Sequence, residues 1–130
     1  MKTRYASCLA FTTVLALPTS AETIEVRTND NKWRLHIAAE LSPQVGEPFP
    51  LKVDVSPDEV VKGCPSLEQI IFDMPQHGHG SDYASTIESR SRCAWRVRGL
   101  TPTMTGIWRV RLVLAYDTVT TLAEIYIQVK

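Results

Sequence analysis

The chain has no excess of either charge. Its 14 lysine and arginine side chains are matched by 14 aspartates and glutamates. A polyanion-binding surface needs a strong basic surplus, so nucleic acid is not an expected partner. Cysteine is scarce, with 3 in 130 residues, and no Cys-x-x-Cys spacing occurs, which argues against a thiolate metal cluster and against a dithiol redox motif. No internal repeat, low-complexity tract or linker-like segment divides the sequence. No Gly-x-Ser-x-Gly elbow surrounds Ser81, and no base and orienting acid are arranged around it, so no conventional catalytic signature is present and the chain is read as a non-enzyme. Beyond the first 20 or so residues there is also no apolar run long enough to cross a membrane as a helix, which takes about 20 residues.

What is present begins with an address. Lys2 and Arg4 are followed by a mostly apolar stretch from Tyr5 to Leu17, and Thr19-Ser20-Ala21 offers small residues before Glu22. This is the pattern of a secretory signal over residues 1–21, cut before a mature domain of residues 22–130. Periplasmic or secreted localisation follows, with no membrane span after cleavage. Cleavage removes Lys2 and Arg4 and no acid, leaving 12 basic and 14 acidic residues and a net charge of −2. Cys8 departs with the signal. The remaining cysteines, Cys64 and Cys93, are left in a compartment that permits a disulfide between them.

From Glu22 onward the hydrophobic pattern has period two. Trp33, Leu35, Ile37, Ala39 and Leu41 share a face, as do Leu51, Val53 and Val55, and later Trp108, Val110, Leu112 and Leu114. Further strands are expected over Thr23–Arg27, Leu67–Met74, Cys93–Arg98 and from Thr118 to the end, with a weak one over Tyr83–Glu88. A short helical turn or loop is expected from Ser56 through Val61. The mixed apolar pattern of Ile70, Ile71, Phe72 and Met74 suggests burial on more than one side. About seven short strands separated by turn signals, with no strong helix, predict an all-β fold, an antiparallel immunoglobulin-like β-sandwich.

The stretch with chemistry in it is Met74-Pro75-Gln76-His77-Gly78-His79-Gly80. In extended backbone, residues two apart point to the same side, so His77 and His79 can offer two imidazoles to one ion. Gly78 and Gly80 ease the bending this needs. Imidazole and thioether are ligands for borderline and soft transition metals, so Met74 turns the choice towards a copper ion. The competing reading makes the loop structural and Met74 part of the core. His36 shares its face with Arg34 and is read as solvated. An iron site of two histidines and one carboxylate, using Asp73 or Asp82, is geometrically conceivable. The arginines at 90, 92, 96, 98, 109 and 111 are read as solvated strand faces or as a basic surface.

The Met-Pro-Gln-His-Gly-His-Gly segment after an apolar strand resembles the YtkA-like or FixH-like group of small extracytoplasmic domains. So do Val45-Gly46-Glu47-Pro48 and Met104-Thr105-Gly106-Ile107-Trp108. The resemblance implies an immunoglobulin-like fold and, for some members, copper handling or oxidase maturation. In that setting Met104 becomes a further candidate ligand beside Met74, His77 and His79. The reading is of a copper-holding or copper-delivering protein with a donor or acceptor partner. The alternative is a metal-free interaction module docking on an envelope complex.

Overall fold

The computed structural model describes residues 21–40, 42–57, 63–81 and 83–130. Residues 1–20 of the signal segment, Leu41, residues 58–62 and Asp82 lie outside the described residues; of the turn expected from Ser56 through Val61, Ser56 and Pro57 are described and are strand. Nine strands form two antiparallel sheets: β1 (Ala21–Arg27), β2 (Trp33–Glu40), β3 (Phe49–Pro57), β4 (Ser66–Met74), β5 (His79–Gly80), β6 (Thr86–Ser91), β7 (Ala94–Leu100), β8 (Gly106–Tyr116) and β9 (Val119–Val129). One sheet runs β1-β2-β3-β7-β6 and the other β5-β4-β8-β9. Leaving β1 aside, this is the four-plus-three immunoglobulin arrangement, with β5 as a short extra strand beside the three. The expected sandwich is therefore present with nine strands. β5, only two residues long, carries no period-two signal of its own.

Alternation decides which side chains meet between the sheets. Leu35, Ile37, Leu51, Val53 and Val97 from the five-stranded sheet are fully buried, as are Trp108, Val110, Leu112 and Leu114 from the other. An aromatic chain crosses the core near one end. Phe49 meets Phe72 edge-on at 5.7 Å, and Phe72 stacks on Trp108 at 4.6 Å. At the other end Trp33 meets Tyr116 edge-on at 5.2 Å. The sheets are also tied at an edge, where Asn29 in the β1–β2 turn donates its amide to Leu122 of β9 and accepts from that residue's N–H and from the Thr121 hydroxyl.

β4 corrects one expectation. Its pairing with β8 shifts register between Leu67 and Gln69. A bulge reverses the inward phase. Leu67 faces in before it, and Phe72 and Met74 face in after it. The strand is thus buried on one side throughout, and Ile71 lies half-buried on the other.

Cys64 and Cys93 are disulfide-bonded, with Cα atoms 5.4 Å apart. Cys93 sits in the β6–β7 turn with φ of 65°, so β7 begins after it rather than at it. The bond joins the approach to β4 to that turn, at the end of the sandwich away from the histidines. β4 separates the two by its full length, roughly 25 Å at about 3.3 Å per residue. The crosslink braces the fold and does not sit beneath the His-Gly loop.

Candidate metal centre

β4 and β5 form a hairpin whose four-residue connection is Pro75–Gly78. The Met74 carbonyl accepts hydrogen bonds from the His77 N–H at 3.2 Å and the Gly78 N–H at 3.0 Å, closing the turn. Gly78 has φ of 62°, in the left-handed region where a residue without Cβ fits at no steric cost. His77 then lies in the turn and His79 on β5, opposite Met74. Both imidazoles are exposed. Their ring centres are 6.4 Å apart and the ring planes 19° from parallel. Two imidazoles bound to a common ion by bonds of about 2.0 Å have ring centres up to roughly 6 Å apart. The pair is therefore close to bridging distance, and rotation of exposed side chains covers the difference.

The loops that gather round this hairpin are β2–β3 and β7–β8, as the topology of an immunoglobulin sandwich requires. Ser81 clasps the hairpin from both sides. Its N–H donates to the Phe72 carbonyl, and its hydroxyl donates to the Thr101 carbonyl at 2.9 Å. Gly46 of the β2–β3 loop donates to the Pro102 carbonyl at 2.8 Å. An open groove of about 530 Å³, lined by Ser42, Pro43, Gln44, Val45, Thr105 and Lys130, lies at this end. None of those residues is a ligand of the imidazole or sulfur type.

The two methionines are placed differently. Met74 is 2% exposed and belongs to the core. Its terminal methyl lies against Gly106, where a Cβ would come within 2.8 Å of it. At φ of 132°, Gly106 allows β8 to begin hard against that side chain. Met104 is 44% exposed, and its carbonyl accepts the Trp108 indole N–H at 3.0 Å. It stands two residues from Gly106, and hence from the side chain of Met74, at the histidine end of the molecule. The geometry brings His77, His79 and Met104 to one exposed end and sets Met74 beneath them.

Asp73 is fully engaged elsewhere. Arg109 binds both its oxygens, at 3.0 and 2.9 Å, and Arg111 adds a bond of 2.9 Å to Oδ2. The hydrogen bond from Arg109 is the leading cause that holds its carboxyl below the usual carboxylate range, against a smaller opposing effect of burial. The ionised form is thereby favoured, and the carboxylate is held by its arginines. Sequence reasoning treated Asp73 as a conceivable ligand and Arg109 and Arg111 as surface charges. The β4–β8 register, which sets Asp73 opposite Arg109, unites them as one cluster. Arg96 and Arg98 lie on the other sheet, and Arg98 pairs with Glu88 there. These arginines therefore do not make a single basic surface. His36 is half-exposed on β2, 4.0 Å from Glu25, apart from the His-Gly loop.

Among the described residues, no three or more histidine, cysteine, aspartate and glutamate side chains group as a metal-ligand set. The His-Gly loop itself offers two imidazoles. Nor is any helix among the described residues long and apolar enough to cross a membrane.

Comparison with known proteins found no family model that matches the chain and no match among curated proteins. Among solved structures, the fold is similar to a DUF4785 family protein from Legionella pneumophila, with a TM-score of 0.54 at 8% identity. That similarity covers 78% of this chain and 29% of the other, so the chain spans under a third of the protein it matches. It bears on the fold alone.

Proposed function

We propose that this protein is a periplasmic or secreted copper carrier, which holds or passes on the ion through His77 and His79. The observation that carries the reading is the imidazole pair itself, two exposed rings 6.4 Å apart on a closed hairpin turn. Met104, exposed at the same end, is the accessory sulfur ligand, and its softness favours the cuprous form. Met74 serves the core and supports the hairpin from below. The resemblance of the Met74–Gly80 segment to YtkA-like and FixH-like domains supports copper, and the signal-like first 21 residues and the disulfide support export. An open, solvent-facing pair suits exchange with a donor or acceptor protein better than catalysis, which calls for an enclosed and preorganised site.

Elemental analysis of the full chain, purified from its own compartment without added metal, tests this reading. Copper above the level of the other transition metals is expected. Protein that carries none, or that carries another metal in stoichiometric amount, contradicts it.

A further inference from the structure

We propose that one metal ion joins two copies of this chain, each copy supplying His77 and His79, so that four imidazoles complete the coordination shell. The inference rests on the metal-binding reading above and adds to it the identity of the missing ligands.

The argument starts from a shortage of donors. A borderline divalent ion such as zinc or cupric copper takes about four ligands of nitrogen or oxygen type. One chain offers two imidazoles here, and among the described residues no third histidine, cysteine or carboxylate joins them. Asp73, four residues before His77, is held by Arg109 and Arg111. The adjacent thioether, that of Met74, is packed in the core against Gly106. Met104 is free to approach, but a soft sulfur is a weak ligand for a divalent ion compared with imidazole. The described residues thus supply half a shell, and a second copy of the chain is the source we assign to the rest.

Position favours a second copy. Among the described residues β5 is an edge strand of the four-stranded sheet, with no strand of that sheet beyond it on the side of the hairpin that carries both rings. The rings already lie nearly parallel and near bridging distance, so each copy presents its pair as a unit. Two such units facing across a two-fold axis form an isologous contact, in which the same surface meets itself. Val45, Met104 and Ile107 are each more than 40% exposed on the loops and strand start of the same end, and this arrangement gives them apolar surface to bury.

The test uses the full exported chain, with zinc chloride and copper(II) sulfate as the probes. Molar mass is followed by light scattering as metal is added, and bound metal is counted in parallel. Doubling of the mass is expected, complete at half an equivalent of metal per chain and reversed by chelator. The His77→Ala/His79→Ala variant remains at the mass of one chain. His36→Ala, on β2 beside Glu25 and apart from the hairpin, still doubles. Uptake of a full equivalent per chain with the mass unchanged overturns the inference while leaving the carrier reading intact. Absence of any uptake by the native chain removes both. A dimer that persists in chelator and in the double histidine variant overturns the inference as well, because the metal is then not what joins the copies.

Discussion

Replacing Trp108 by alanine is expected to destabilise the fold by about 3–5 kcal/mol, the range for removing a fully buried large aromatic side chain. Trp108 is inaccessible to solvent, stacks on Phe72 and stands at the end of the aromatic chain that begins at Phe49 on the opposite sheet. Its loss opens a cavity where both sheets and the β7–β8 loop meet, and the strands around it collapse only in part. A second effect is local. The indole N–H that donates to the Met104 carbonyl disappears, which frees the loop bearing the proposed sulfur ligand. Trp108→Phe separates the two contributions, since it keeps a ring on Phe72 and removes the donor at a further cost of about 1 kcal/mol. Urea unfolding of the three proteins is the check. A fall in midpoint without a change in slope is expected for both variants, larger for alanine. An unchanged midpoint for Trp108→Ala contradicts the packing described.

The second large effect concerns the crosslink. Cys64 and Cys93 close a loop with a sequence separation of 29, and the chain-entropy relation assigns such a closure about 3–4 kcal/mol. Changing both cysteines to serine is expected to lower stability by that order, measured against the native chain under oxidising conditions. Reductant is expected to move the native chain towards the variant and to leave the variant where it is. Because the bond lies at the end of the sandwich away from His77 and His79, the folded variant keeps its metal affinity. A double variant that folds normally yet has lost copper would show that the crosslink shapes the loop after all.

Those two residue groups mark where the sequence was informative and where it was not. Period-two alternation in β2, β3 and β8 is a local signal, and it placed Trp33, Leu51 and Trp108 in the core without ambiguity. The His-x-His spacing was likewise local, and both rings lie exposed on one hairpin. Pairings across long separations were not legible. Asp73 meets arginines 36 and 38 residues later, and only the register of β4 against β8 brings them together. The Ser81 clasp on Thr101 depends in the same way on two loops converging at one end of the sandwich. Met74 was ambiguous because a methionine in phase with Ile70 and Phe72 fits both a core and a ligand set. Its contact with Gly106 places the side chain in the core. The bulge in β4 was hidden because one inserted residue turns a one-sided pattern into a mixed one.

Copper held by the imidazoles of His77 and His79 is the central proposal, and a competition titration with a chelator of known affinity tests it most directly. Native chain and His77→Ala/His79→Ala variant are compared at the same pH, since protons compete with the metal for imidazole nitrogen. Both rings are exposed, so the variant keeps the native fold. Its copper affinity is expected to fall by at least about 100-fold, or about 2.8 kcal/mol. Equal affinity in the two proteins would contradict the account.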